Sequence, residues 1–312
     1  MGDIVRVEGL VKKFGELIAV DQVDFSIAEG EIFGLLGPNG AGKTTTISMI
    51  SCLLDPDAGT IDVDGHSSAR DAIGVKRSLG IVPQEIALYP TLTAVENLAF
   101  WGRMYGLSGS ALKEAIDEAL ELAGLADRAK ERIETYSGGM KRRINIAAGI
   151  LHKPRVLLMD EPTVGIDPQS RNHILDTVKN LNRSGMTVLY TRHYMEEVEY
   201  LCDRIAIMDH GKVIASGTLN ELRDVVGGMD VVEVKVTGLA EEILAAARAI
   251  EGVEGVEHDE ESMRVLTRSS GSILGKLITT LESQGGHVTS VRVTEPNLES
   301  VFLHLTGKSL RD

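Results

Sequence analysis

The stretch Gly37-Pro38-Asn39-Gly40-Ala41-Gly42-Lys43-Thr44-Thr45 decides the fold. An apolar run, Ile32-Phe33-Gly34-Leu35-Leu36, precedes it, and a helix-like segment from Thr45 to Ile50 follows. Strand, glycine-rich loop and helix thus stand in the order that the pattern G-x-x-x-x-G-K-[ST] requires. Glycines let the backbone curl so that successive N–H groups point inward as an anion nest. The helix start adds unsatisfied donors and the positive end of its dipole. Lys43 can reach the β- and γ-phosphates of a nucleotide, and the Thr44 hydroxyl can take a site on Mg²⁺. The rival is a glycine-rich turn with an incidental lysine, and the flanking strand and helix weigh against it. The stretch implies a bound nucleoside triphosphate.

Around this loop, 312 residues leave room for one large or two unequal domains. The chain is 43% hydrophobic with a mean hydropathy of +0.02, enough for a core. No run approaches the roughly 18–20 apolar residues of a membrane span, so a membrane role would come through a partner. The first residues, Met1 to Arg6, enter strand-like alternation and do not read as a secretory signal. Net charge is −14 and the pI about 5.1. Nucleic-acid binders cluster Lys and Arg against phosphates, so no nucleic acid is expected as a partner. Cys52 and Cys202 lack C-x-x-C spacing and are expected reduced. A cytosolic, ATP-handling protein fits all of these.

Along the chain, Ile4–Glu8 and Val20–Ile27 alternate like exposed antiparallel strands, with a turn at Lys12–Gly15 that presents Phe14, and Thr60–Asp64 reads as another, half-buried strand. From about Thr93 to Ala129 apolar positions recur at helix spacing (Ala115, Leu120, Leu122, Leu125), and a second helix is expected over Met140–Leu151. Arg155–Asp160 is a continuous apolar run of the kind buried on both faces of a parallel sheet. Strand-like runs follow at Thr187–Tyr190 and Arg204–Met208, alternating with helices over Ser170–Arg183 and Met195–Cys202. Alternating strands and helices imply an α/β sheet with its site at the carboxyl ends of the strands. Past Gly227-Gly228 the pattern resets: Val231–Val236, Leu239–Ile250, Val253–Glu257, Met263–Thr267, Ser272–Ser283 and His287–Val293 read as βαββαβ. That order suggests a small ferredoxin-like α+β domain, closed by a helix with Leu298, Phe302 and Leu305 on one face. The expected domains are 1–227, including a helical subdomain at about 86–152, and an accessory domain at 228–312.

Further motifs stand in a set order. Gln84 follows Val82-Pro83, and Tyr136-Ser137-Gly138-Gly139-Met140 comes one helix and one strand before Met159-Asp160-Glu161-Pro162. Gly165-Ile166-Asp167-Pro168 follows that, and Thr191-Arg192-His193-Tyr194 ends the next strand. From about Ile4 to Arg223 the chain resembles the nucleotide-binding subunit of ABC transporters. This implies a P-loop NTPase core with an antiparallel β subdomain and a helical subdomain. The tail Glu295-Pro296-Asn297-Leu298-Glu299-Ser300-Val301-Phe302 is similar to that of drug- and lipid-exporting ATPases of the daunorubicin-resistance kind.

The resemblance implies a role for each motif. Asp160 would help hold Mg²⁺ with Thr44, and Gln84 would sense the metal and γ-phosphate. Glu161 would act as general base on the attacking water, and His193 would contact the γ-phosphate. Phosphoryl transfer needs mainly positioning and charge stabilisation, which this set supplies together with Lys43. Phe14 would stack on adenine. Ser137, Gly138 and Gly139 would cap the γ-phosphate held by a second copy of the chain, with Asp167 at the seam. ATP and Mg²⁺ are thus the expected cofactors. A homodimer formed on ATP binding and a separate permease are the expected partners, and the expected location is the cytoplasmic face of the cell membrane. Motion would pass to the permease through roughly Glu85–Tyr105.

Some residues depart from the commonest family pattern: Tyr136 and Met140 flank the Ser-Gly-Gly segment, Ile166 stands where Leu is usual, and Arg192 precedes the histidine. Lys141-Arg142-Arg143 could attract phosphate or be a solvated helix face, and Glu196-Glu197 and Glu241-Glu242 are expected on solvated faces. The remaining histidines, His210 among them, lack shared metal-ligand spacing. Two rival functions remain, a soluble ABC-type ATPase acting on the ribosome or DNA and a non-hydrolysing regulatory module. The single phosphate loop and the absence of sustained heptads weigh against the first, and Glu161 with His193 against the second.

Overall fold

A computed structural model describes residues 2–192, 194–225, 228–237, 241–258, 262–294 and 297–306. The chain starts with an antiparallel pair, β1 (Asp3–Phe14) and β2 (Leu17–Ala28), turning at Gly15. In β1, Val5 and Val7 are buried on either side of an exposed Arg6, the alternation of a half-buried strand. Next come β3 (Ile32–Leu36), buried at every residue, the glycine-rich loop and α1 (Lys43–Ile50). β4 (Ala58–Val63) pairs with β1, and the short β5 (His66–Ser67) with β4, so this antiparallel sheet runs β2-β1-β4-β5. α2 (Ala72–Ser78) leads into β6 (Leu79–Val82).

The helical region begins with α3 (Ala94–Met104), closed by a capping box in which Thr93 and Glu96 exchange hydrogen bonds. Such a cap contributes about 1 kcal/mol. The single helical run expected over Thr93–Ala129 breaks before α4 (Gly109–Leu122), where Gly106 and Gly109 take left-handed φ of 84° and 58°. With α5 (Gly138–Ile150), these helices bury Leu98, Leu112, Ile116, Leu120 and Ile144 in a core of their own.

The chain then builds β7 (Val156–Asp160), α6 (Pro168–Arg183), β8 (Thr187–Arg192), α7 (Met195–Leu201) and β9 (Arg204–Asp209). It closes on an antiparallel edge strand, β10 (Lys212–Gly217), that the sequence reading did not anticipate. The six-stranded sheet runs β10-β9-β3-β8-β7-β6, parallel apart from β10. Every residue of β3, β7 and β8 is buried, which is why these strands lack a polar face. Register pairs Leu36 with Arg192, Asp160 with Thr191 and Val82 with Met159. The glycine-rich loop, Glu161 and Gln84 therefore leave the sheet at the carboxyl ends of β3, β7 and β6, with β8 between the first two, where α/β sheets carry their sites.

The chain divides into two units between Thr218 and Leu219. This lies ahead of the pattern reset at Gly227-Gly228, and Gly227 falls outside the described residues. The division comes early because α8 (Leu219–Val225) packs within the second unit, with Leu222 buried. The second unit continues as β11 (Asp230–Thr237), α9 (Glu241–Arg248), β12 (Val253–His258), β13 (Ser262–Thr267), α10 (Ser270–Ser283), β14 (His287–Thr294) and α11 (Leu298–Thr306). Leu239 and Glu295-Pro296 lie outside the described residues. The antiparallel order β12-β13-β11-β14 is the ferredoxin-like arrangement. Val232, Val234, Val265, Ile243 and Leu277 form its core, and Leu298, Val301 and Phe302 are the buried side of α11.

Candidate functional site

Gly42 is the N-cap of α1 with φ 105°, and a Cβ there would stand 2.5 Å from the Ala19 carbonyl oxygen. Only glycine fits both the left-handed turn and that approach. No side chain caps α1, so the amides of its first turn are available to an anion. The Lys43 ammonium lies within the loop, donating to the carbonyls of Gly37 at 2.7 Å and Pro38 at 3.0 Å. It stands 3.4 Å from Glu161 Oε1, and both residues are buried. Burial pushes the Lys43 pKa down, and the Glu161 carboxylate opposes that shift.

Asp160 and Glu161 end β7 with different tasks for their atoms. Thr191 joins them: its hydroxyl donates to Asp160 Oδ1 at 2.7 Å and accepts from the Glu161 N–H at 3.0 Å. Glu161 has a left-handed φ of 44°, an uncommon conformation for this residue that its surroundings must hold in place. Thr191 carries no local sequence signature of this bridge, because its partners lie 30 and 31 residues away.

A cavity of about 370 Å³ gathers Phe14, the loop from Asn39 to Thr45, Gln84 and Glu161. Thr44 and Gln84 are exposed there, and Phe14 is 49% exposed at the end of β1. Gly37 and Pro38 lie behind the cavity, as acceptors for Lys43. Leu17, Ile18, Ala19 and His210 also line it. The sequence reading missed these walls because β2 and the β9–β10 turn reach the site only through tertiary packing. His193 lies outside the described residues.

Ser137, Gly138, Gly139 and Asp167 do not line this cavity; they form a second group. Ser137 caps α5, its hydroxyl accepting from the Met140 N–H at 3.2 Å. Asp167 caps α6, accepting from the Ser170 N–H at 2.9 Å, a bond that holds its carboxyl pKa down. A Cβ on Gly139 would sit 2.1 Å from Ser170 Oγ, so the glycine lets the starts of α5 and α6 touch. Gly138, by contrast, is exposed with no heavy atom closer than 3.9 Å to such a Cβ.

The residues flanking that segment turn inward. Met140 and Tyr136 are buried in the helical core, where the Tyr136 hydroxyl donates to the Arg128 carbonyl at 2.7 Å. Arg142 is neither a phosphate attractor nor a solvated residue. It is buried, and its guanidinium donates to the carbonyls of Pro83 (2.6 Å) and Gln84. Asn145 accepts from the Ala87 N–H at 3.1 Å. Together they fasten the loop that carries Gln84 to α5. Arg142→Ala leaves two carbonyls without their donor, at about 1–3 kcal/mol each. The expected result is a thermal midpoint lowered by several degrees and a slower turnover with unchanged ATP affinity, read by melting curves and nucleotide titration. Wild-type stability and turnover together would exclude this fastening role.

Glu197 also departs from expectation. Glu196 is solvated, but Glu197 is only 4% exposed and paired with Arg192, which is itself 2% exposed. Glu241 and Glu242 are exposed as expected.

Comparisons with known proteins agree with this geometry. Residues 20–164 match the family model described as ABC transporter, and residues 217–306 match that of the ATP-binding protein DrrA1-3-like, C-terminal domain. The chain is 53% identical to the linearmycin resistance ATP-binding protein LnrL of Bacillus subtilis, covering 99% of this chain and 100% of that protein. It is 39% identical to the daunorubicin resistance ATP-binding protein DrrA3 of Streptomyces coeruleorubidus (98% and 97% covered). It is 40% identical to the Nod factor export ATP-binding protein I of Ralstonia nicotianae (99% and 95% covered). Among solved structures, the ATP-binding subunit of an ABC transporter superposes with a TM-score of 0.66 at 30% identity, over 72% of this chain and 93% of that one. A dimeric ATP-binding cassette in a post-hydrolysis state, bound to ADP and Pi, superposes with a TM-score of 0.63 at 28% identity, over 69% and 98%.

Proposed function

The chain belongs to the ATP-binding, ATP-hydrolysing subunits of ABC transporters, and from that premise we propose that two copies sandwich ATP and power export through a separate membrane permease. The separation of two half-sites in one chain carries the proposal. One half-site, the cavity around Lys43, offers loop amides, an ammonium and a carboxylate. The other, Ser137 to Gly139 with Asp167, offers an exposed helix start away from that cavity. A second copy turned about a two-fold axis brings each half-site to the other's partner.

Within the cavity, Phe14 stacks on the base, and the Gly37–Thr45 loop with Lys43 cradles the phosphates. Glu161 accepts a proton from the attacking water, with Gln84 and His193 at the γ-phosphate. Thr44, Gln84 and Asp160 are oxygen donors of the kind Mg²⁺ prefers, and Thr191 holds the Asp160 carboxylate in place for it. When bound, Mg²⁺ supplies charge neutralisation on the phosphates.

The segment from Glu85 to Tyr105 suits the permease contact. Tyr89, Met104 and Tyr105 are exposed, and Phe100 packs edge-on against Tyr89 at 5.0 Å and Trp101 at 5.2 Å. Arg142 and Asn145 tie its base to α5. No described helix is long and apolar enough to cross a membrane, and on this proposal the permease holds the chain at the inner face. The names of the relatives, resistance to linearmycin and daunorubicin and export of Nod factor, favour export of a drug-like cargo, a lipid or another substrate being the alternatives.

Light scattering on Glu161→Gln tests the sandwich. With Mg-ATP the mass is expected to double, and Ser137→Arg added to the same chain is expected to keep it at one copy. A chain that stays monomeric with ATP bound overturns closure by two copies alone.

A further inference from the structure

We propose that Glu197 is a positioning residue for hydrolysis, a buried carboxylate that locks the end of β8, the turn after Glu161 and the start of α6 into one arrangement. The inference rests on the assignment of Glu161 as the general base. Glu197 Oε2 accepts from the hydroxyls of Thr163 at 2.6 Å and Tyr190 at 2.7 Å. Arg192 stands beside both oxygens, with Nε 3.2 Å from Oε2 and Nη2 3.3 Å from Oε1. Arg171, one turn after the Asp167 cap, has its Nε 3.6 Å from Oε1. One carboxylate thus takes hydrogen bonds or ionic contacts from four side chains, which nearly exhausts its lone pairs.

The alternation of β8 explains what the lock controls. Thr191 faces Asp160 and Glu161, whereas Tyr190 and Arg192 point to the opposite face and meet Glu197. Fixing Tyr190 and Arg192 on one face of the strand end fixes Thr191 on the other. The turn carrying Glu161 is held at both ends: Thr191 takes the Glu161 N–H, and Glu197 takes the Thr163 hydroxyl two residues on. A left-handed glutamate persists only where its surroundings over-determine it. Burial, and next the Glu197 carboxylate, push the Tyr190 pKa well up, so its hydroxyl stays a donor.

Arg192 makes the lock depend on charge. Its guanidinium is buried, and Nε and Nη1 make no hydrogen bond, so beside the Tyr194 ring, 4.5 Å away, Glu197 is its charge compensation. Glu197→Gln keeps an acceptor for Thr163 and Tyr190 but strands a buried cation, which must then shift the strand end to reach water. Removing both charges, as in Glu197→Gln with Arg192→Met, takes away the reason to shift.

The test measures ATPase kinetics, nucleotide affinity and melting on the full chain. Glu197→Gln is expected to lower kcat about 10–100-fold, as small misplacements of reacting groups do. Its KM and nucleotide Kd should stay near wild type, and the double variant should regain most of the loss. A wild-type kcat in Glu197→Gln overturns the lock. So does a joint fall of kcat, affinity and melting temperature that the double variant does not repair. If Glu197→Gln does not fold, Arg171→Gln at the more exposed end decides: a slower kcat with unchanged Kd supports the lock, and an unchanged kcat overturns it. A Glu161→Gln chain that hydrolyses ATP at the wild-type rate would instead sink the underlying assignment.

Discussion

Replacing Glu161 by glutamine is expected to slow ATP turnover by about 10²–10⁴-fold, the usual contribution of a general base. That is about 3–5 kcal/mol of barrier. Affinity for Mg-ATP should stay within a few-fold, because on the proposed assignment the loop amides and Lys43 bind the phosphates independently of this carboxylate. Glutamine has the same shape and the same backbone N–H to give Thr191, so the bridge from Thr191 to Asp160 survives. Lys43 loses its carboxylate neighbour at 3.4 Å but keeps the carbonyls of Gly37 and Pro38. Single-turnover hydrolysis beside equilibrium nucleotide binding separates the two effects. A parallel loss of both would mean that Glu161 holds the loop rather than the water.

Lys43→Met is expected to do the opposite, removing binding while sparing the fold. Two charge-assisted contacts to phosphate, at about 1.5–3 kcal/mol each, correspond to roughly 10²–10⁴ in Kd. Folding stability should fall modestly, because opposing terms cancel only in part. The buried ammonium, whose pKa burial depresses, no longer has to be desolvated. Against that, the buried Glu161 loses its cation and the carbonyls of Gly37 and Pro38 lose their donor. Isothermal titration with Mg-ATP and a melt without nucleotide measure the two separately. An unchanged Kd would remove Lys43 from the phosphate site. Unfolding would show that its bonds to Gly37 and Pro38 are what shape the loop.

Much of this site is legible from the sequence because its motifs are contiguous. Six consecutive positions from Gly37 to Gly42 fix a turn, and the following Lys43 and Thr44 are held in place by the backbone alone. The buried runs Ile32–Leu36 and Val156–Asp160 identify central strands from their lack of a polar face. Parallel connection then brings their carboxyl ends together wherever the chain goes in between. Hence Lys43 and Glu161, 118 positions apart in the sequence numbering, could be expected in one site.

Contacts that join distant segments through side chains had no such signal. Arg142 sits in a Lys-Arg-Arg run that suggests a solvated face, yet α5 turns it toward Pro83 and Gln84. Glu196-Glu197 looks like a charged helix surface, but helix periodicity sends only one of the pair outward. The Arg192–Glu197 pair depends on α7 folding back on β8, and the Gly139–Ser170 contact on α5 meeting α6. The division at Thr218 likewise follows from the packing of α8 on α11, not from the glycine pair where composition changes. By itself the sequence determined the fold class and the phosphate loop and put forward the residues proposed to carry the chemistry, since local backbone geometry and strand periodicity are written along the chain. Only the tertiary structure decided which buried charges hold those residues in register, because burial is set by which faces of separate elements meet.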